Sequence, residues 1–583
     1  MQPLEFKIDV GEPGRHRARL TLDVDTATVA PGKPSLELFL PVWTPGSYLV
    51  REYARHIEGF AACDASDGSP LAWRKSSKNR FLVDLPAGCE RARITYRVYG
   101  KELTVRTADF TEHHAYWNGA CICLWPAGAE HLPAGLEVTV PEGWQLVTQL
   151  PRTQTSPVMR FEAQDLDEVV DSPCLAGDLD IREFEVLGRP HSFALDGLDA
   201  VPLPERLLTD TEAIIEQAAA IFGGDLPYDR YQFLALFSGD GRGGLEHTDS
   251  STLLAPRTTF APRKDYENFA GLVAHEFFHV WNGKRMRPSG LWEFDYEREN
   301  YTTLLWVTEG FTAYYDDLIC RRAGILSGDR YLKLLSDNLS SFHRTPGRLL
   351  HPLSSSSFDA WIKLYRPDEH SRNSTQSYYT HGALAAMCFD LRIRDATGGE
   401  RSLDDVVAQL YRATYEQGRG YSDDDVVSAL SDAAGQDMAP LKAQLIDGPF
   451  DPTFDEFLNP VGLRVGRKAG DLPLLGVQFQ ARELKLASVL DGGAGQEGGL
   501  APGDEILALN GLRVTRATWP SVLENVWRPE DPLHLLISRR GVILERTISP
   551  DPNPTRSWAI ERDPDADERA LKLRQAWLCE PSQ

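Results

Sequence analysis

Residues Gly271 to Val280 read GLVAHEFFHV. Phe269, Leu272, Val273 and Val280 recur at helical spacing, which predicts a helix that Asp265 can cap and Asn282-Gly283 can end. On a helix, positions i and i+4 share a face, so the imidazoles of His275 and His279 can reach one cation. Zinc suits such nitrogen ligands and a tetrahedral site. Glu276 is turned by about 100° from His275, beside the ion, where it can serve as general base. The plainer alternative is a pair of hydrogen-bonded histidines on a core helix.

A catalytic zinc needs a third protein ligand and an open fourth position. Downstream, Trp306 to Tyr315 read WVTEGFTAYY, again with a helical apolar pattern. Glu309 stands there among bulky apolar residues, where an unpaired carboxylate is costly and a bound cation removes the cost. A buried ion pair with an arginine is the alternative.

Outward from these helices the period changes. Residues 1–170 alternate apolar and polar (Phe6, Ile8, Val10; Leu20, Leu22, Val24; Leu36, Leu38, Leu40) between Gly- and Pro-rich turns, which predicts an antiparallel β-sandwich. Residues 171–455 carry one strand, Tyr231 to Phe237, and then long helical patterns, an α+β arrangement. Residues 460–550 return to short strands, and the tail 551–583 holds one candidate helix, Ala566 to Leu578.

The chain has 583 residues, enough for three or four domains, and 42% apolar residues, an ordinary globular composition. Its net charge of −24 argues against nucleic-acid binding, and the short basic run Lys284, Arg285 and Arg287 reads as a solvated or locally paired turn. No apolar run spans a membrane, and Met1 to Val10 show no basic-then-apolar leader. The eight cysteines are scattered, and Cys121-Ile122-Cys123 read as packing residues of a strand. A cytoplasmic protein is expected, periplasmic or secreted where a leader has been removed.

With HEFFH followed on the next long helix by W-x-x-E-G-F, the chain resembles the gluzincin metallopeptidases with a thermolysin-like catalytic domain. Among these it is similar to the glycyl aminopeptidase family, also in Leu40 to His56 (LPVWTPGSYLVREYARH), in Ala115 to Trp125 (AYWNGACICLW) and in the long spacing from His279 to Glu309. The resemblance implies a multidomain chain: an N-terminal β-rich domain (1–170), a thermolysin-like zinc peptidase domain (171–455) and a C-terminal PDZ domain (460–550). It also implies one Zn2+ held by His275, His279 and Glu309, with Glu276 as base.

Gly243 to Ser251 read GGLEHTDSS before a strand-like Thr252-Leu253-Leu254, which suggests an edge strand along which a peptide could lie, Gly243 and Gly244 included; a turn with a solvated Glu is the alternative. By resemblance GGLEH takes the place of the GAMEN motif of related aminopeptidases, and Glu246 would bind the α-ammonium of the substrate, although His247 stands where that motif has Asn. In Ser377 to Leu384 (SYYTHGAL) the resemblance makes Tyr379 the oxyanion donor, three residues before Gly382; Tyr378 remains an alternative, as do two plain core aromatics. Gly499 to Gly511 (GLAPGDEILALNG) read as a strand between two tight turns and are very like a PDZ stretch, with Leu475, Gly476 and Val477 as the carboxylate-binding loop for a peptide C-terminus; packing without a ligand is the alternative.

The expected function is a zinc aminopeptidase acting on peptides with a free N-terminus, small residues such as Gly or Ala preferred. Two alternatives are a zinc endopeptidase supplied by the PDZ domain and a non-catalytic PDZ adaptor. No nucleic-acid or membrane partner is expected.

Overall fold

Phe6 and Ile8 point inward from the strand Leu4–Asp9, and their neighbours face out, as the alternation requires. The computed structural model describes residues 2–154, 158–198, 201–470, 472–529, 531–551 and 555–579. It divides into two compact units, residues 1–301 with 411–420 and residues 302–410 with 421–583.

The first unit opens with a seven-stranded sheet, ordered Arg152–Gln154, Met159–Ala163, Ala134–Thr139, Leu4–Asp9, Arg17–Asp25, Arg91–Tyr99 and Ile57–Asp64. Two four-stranded sheets accompany it, and one continuous apolar core, with Phe6, Trp117 and Trp125, joins them. The expected all-antiparallel pattern needs one correction: Leu4–Asp9 and Ala134–Thr139 run parallel. A parallel pair needs a long crossover, and the intervening chain supplies it by building most of the other strands. The sheets also extend past residue 170, because Cys174–Gly177 pairs with His114–Trp117. Cys121 and Cys123 are buried, but Cys121 lies in the one-turn helix Gly119–Ile122, capped by Asn118, and not in a strand. Burial pushes the Cys121 thiol up to about 12.

The same unit continues into a five-stranded sheet of β1 (Asp180–Val186), β2 (Arg189–Asp196), β3 (Tyr231–Ser238), β4 (Gly243–Glu246) and β5 (Ser250–Pro256). Their spatial order is β1-β2-β3-β5-β4; β2, β3 and β5 are mutually parallel, and β4 closes the edge antiparallel to β5. Helix α1 (Arg206–Ile221) packs on α2 (Arg263–Phe278), and α2 packs on β4 and β5. The cap of α2 is Pro262 and not Asp265; Asp265 sits in the first turn, where its charge favours the positive end of the helix. The helix ends at Phe278, with His279 as a still right-handed C-cap, and the chain turns at Gly283 with φ +127°.

In the second unit, α3 (Leu305–Arg322) and α5 (Thr380–Thr397) cross closely, with α4 (Gly328–His343) and α6 (Asp423–Ala434) packed around α5. The crossing is set by Gly310 and Gly382: a Cβ at Gly310 would stand 2.8 Å from the Cα of Gly382. The C-terminal module carries β6 (Val477–Phe479) paired with β7 (Leu486–Val489). It adds a four-stranded sheet of β8 (Glu505–Leu509), β9 (Leu512–Arg513), β10 (Leu533–Arg539) and β11 (Val542–Ile548), ordered β9-β8-β10-β11, and helix α7 (Trp519–Val526). It has its own apolar core around Leu509, Ile537 and Ile548. The last helix, α8 (Glu568–Leu578), docks through Trp577, whose Nε1 donates to the Tyr314 hydroxyl at 2.8 Å. Among the described residues no helix is long and apolar enough to cross a membrane.

Candidate metal and peptide site

The rings of His275 and His279 lie 4.9 Å apart with their planes at 82°. The Nδ1 of His279 is 2.6 Å from the Asn282 carbonyl oxygen. A carbonyl only accepts, so Nδ1 carries the proton and Nε2 keeps its lone pair for a ligand role. The backbone turn at the end of α2 therefore fixes the tautomer as well as the ring.

Glu276 is buried, and the edge strand lies against it: a Cβ at Gly244 would stand 1.8 Å from its Oε1. Only glycine lets β4 come this close. Glu246, at the end of β4, is 6% exposed, and behind its carboxylate lies Gly46 of the N-terminal sheets. Gly46 has φ +81°, and a Cβ there would stand 2.3 Å from Oε2 of Glu246. The turn Thr44 to Ser47, closed by the Ser47 N–H on the Thr44 carbonyl at 3.1 Å, thus walls off the far side of Glu246.

Within the first unit, ligand atoms of Glu246, Glu276 and His279 lie mutually within 4.8 Å, and the His275 ring stands beside that of His279. The imidazoles of His275 and His279 are nitrogen donors of the kind a catalytic zinc takes. The residues present fit zinc on that ground.

The strand end after Glu246 is pinned from below. Asp171 accepts from the Thr248 N–H at 2.8 Å, lies 3.3 Å from Nδ1 of His247 and pairs with the Lys284 ammonium at 2.6 Å. Lys284 and His247 are buried. Burial raises the Asp171 carboxyl, but Lys284 and His247 outweigh it and hold the group well below the usual range. Lys284 and Arg285 are thus buried and partnered, Arg285 with Asp249 at 2.8 Å, as the locally paired alternative for this basic run had it.

On α3, Glu309 is 1% exposed. Tyr378 is fully buried, whereas Tyr379 is half-buried at the N-cap of α5, its ring stacked 4.8 Å from that of Tyr378. The Tyr379 hydroxyl lies 3.1 Å from that of Tyr365. Burial, and then the charge of Glu309, hold the Tyr379 phenol well above its ordinary range, so it stays a hydrogen-bond donor. Sequence reasoning missed Gly46, Asp171 and Tyr365. Only the Pro45-Gly46 turn signal offered a pointer.

In the C-terminal module, Gly476 has φ +66° between Leu475 and Val477. The Leu475 and Gly476 carbonyls accept from the N–H groups of Gly495 and Leu490, each at 2.7 Å.

The family model of the M61 glycyl aminopeptidases matches residues 268–385, and that of the M61 N-terminal domain matches residues 5–178. Together they span half of the chain. It belongs to the M61 peptidase family. A crystal structure of an aminopeptidase N family protein from Idiomarina loihiensis superposes on the M61 chain with TM-score 0.91 and 29% identity, over 99% of this chain and 100% of that one. An aminopeptidase N of Caulobacter vibrioides is 28% identical over 141 residues, 24% of this chain and 15% of that relative's length. An M1 zinc metallopeptidase of Deinococcus radiodurans is a remote likeness, with 17% identity and TM-score 0.48 over 77% of this chain and 94% of that one. The match over 268–385 contains His275, Glu276, His279, Glu309, Tyr378 and Tyr379.

Proposed function

We propose that this chain is a zinc aminopeptidase that removes the first residue from peptides with a free α-amine, favouring Gly or Ala. The observation that carries the reading is the imidazole pair of the buried Glu276's helix, His275 and His279, to which the reading adds the carboxylate of Glu309 as third ligand. Zinc bound by these three supplies Lewis acidity, which polarises a carbonyl oxygen and makes water acidic near neutral pH. Glu276 then takes the proton from the attacking water and returns it to the departing amine. Tyr379 donates to the oxygen that becomes negative as the tetrahedral state forms. Its partial exposure favours it over the fully buried Tyr378.

Glu246 sets the register. The α-nitrogen and carbonyl carbon of one residue are about 2.5 Å apart, so the group that binds the amine must stand close to the base. Glu246 has a carboxylate oxygen within 4.8 Å of those of Glu276 and of a His279 nitrogen, and Gly46 closes the space behind it. A substrate residue upstream of the amine meets that wall, which favours an exopeptidase over an endopeptidase. We read residues 460–550 as a PDZ domain whose Leu475-Gly476-Val477 turn could take a peptide C-terminus.

The test is hydrolysis of Ala- and Gly-initiated fluorogenic peptides with free or acetylated N-termini, with elemental analysis for zinc. Activity lost on acetylation, on chelation and in Glu276→Gln supports the reading. Full turnover of Glu276→Gln, or equal cleavage of acetylated peptides, overturns it.

A further inference from the structure

We propose that Asn373 is a positioning residue through which the C-terminal module holds Tyr379 in place. The inference rests on the assignment of Tyr379 as oxyanion donor and adds a role for the module that needs no peptide ligand. Asn373 stands on the one-turn helix Ser371–Ser374 and is 3% exposed. Its amide is spent on backbone of the module: Nδ2 donates to the Val489 carbonyl at 2.8 Å, and Oδ1 accepts from the Asp491 N–H at 3.0 Å. Of the neutral side chains of this length only an amide both donates and accepts in this way. The residue between, Leu490, donates its N–H to the Gly476 carbonyl. The clamp therefore grips the end of β7 and the Leu475–Val477 turn together.

From Asn373 the chain reaches Tyr379 without slack. The Thr375 hydroxyl lies 2.9 Å from Nδ1 of His351. Gln376 donates to the His351 carbonyl at 2.5 Å, and its Oε1 lies 2.8 Å from Nδ1 of His381. The Ser356 hydroxyl donates to the Gln376 carbonyl at 2.6 Å, and Ser377 Oγ accepts from the Tyr379 N–H at 3.2 Å. Gly347 presses on the same strap, since a Cβ there would stand 2.3 Å from the Thr375 carbonyl oxygen. A segment so tied moves as one piece, and Asn373 is its anchor on the module.

The experiment compares full-length Asn373→Ala, Asn373→Asp, Tyr379→Phe and the double variant Asn373→Ala/Tyr379→Phe on a free-amine peptide. Asn373→Ala is expected to lower kcat about tenfold, a fraction of what loss of an oxyanion donor costs, with KM and zinc content unchanged. Asn373→Asp keeps the bond from Asp491 but sets a buried carboxylate oxygen against the Val489 carbonyl, two acceptors with no proton between them, so it loses at least as much as Asn373→Ala. The double variant is no slower than Tyr379→Phe, because Asn373 acts only through that hydroxyl. Additive losses, an effect on KM alone, or full kcat in Asn373→Ala overturns the inference while leaving the role of Tyr379 intact. A fully active Tyr379→Phe overturns both.

Discussion

The α-carbon of Gly244 rests on the carboxylate of Glu276, with 1.8 Å between the place a Cβ would take and Oε1. A methyl group at 244 must therefore push the carboxylate aside or lift the edge strand. Gly244→Ala is expected to lower kcat by about 100-fold or more, the usual worth of a general base. Its zinc content by elemental analysis is expected to stay at the parent level, because the proposed ligands His275, His279 and Glu309 are not among the atoms the new Cβ meets.

Gly46→Ala reaches the same site from the N-terminal sheets. Its Cβ would stand 2.3 Å from Oε2 of Glu246, so the carboxylate proposed to bind the amine is displaced and KM for free-amine peptides is expected to rise. Strain at a positive φ is a separate cost of about 1 kcal/mol. Gly32→Ala controls for it: Gly32 has φ +67° with nothing within 4 Å of its Cβ position. Steady-state kinetics should show a raised KM in Gly46→Ala and parent values in Gly32→Ala.

Asp171 is the counter-charge for the buried Lys284. Asp171→Asn leaves that ammonium buried without one, and breaking a buried pair from one side costs about 3–5 kcal/mol. Urea unfolding should show the loss, and adding Lys284→Met should recover part of it. An unchanged urea midpoint in Asp171→Asn would refute the buried-pair account.

His114 joins the N-terminal sheets to β2, with Nε2 at 3.0 Å from Asp109 and Nδ1 at 2.8 Å from Asp196. Burial pulls its pKa down, but the two carboxylates outweigh burial and raise it to about 9, against an ordinary 6.5. A raised folded-state pKa stabilises fully below the unfolded value. The contribution is present in full below pH 6.5, declines above it and is gone once the pH has passed about 9. Thermal melts over that window should fall with pH in the parent and run flatter in His114→Gln.

That the rings of His275 and His279 stand side by side is legible because i, i+4 spacing on a helix is local geometry, and the edge strand because glycines before a strand-like stretch signal one. The cap of α2 was misread, since Asp265 and Pro262 both stand near the first turn and only backbone geometry tells them apart. Asp171, Lys284 and His247 share no local pattern; the sheet order brings them together, and one sequence does not print that order. The parallel pairing of Leu4–Asp9 with Ala134–Thr139 was hidden for the same reason, because strand periodicity is identical in both senses.

Where Gly310 meets Gly382, two helices touch backbone to backbone, with no side chain between them to act as a cushion. Glu309 precedes the first glycine by one residue, and the Tyr378-Tyr379 pair precedes the second by three or four. The contact therefore sets the spacing between the helix turn that carries the carboxylate and the helix start that carries the phenol. A side chain larger than hydrogen at either glycine would widen that spacing and part the carboxylate from the phenol.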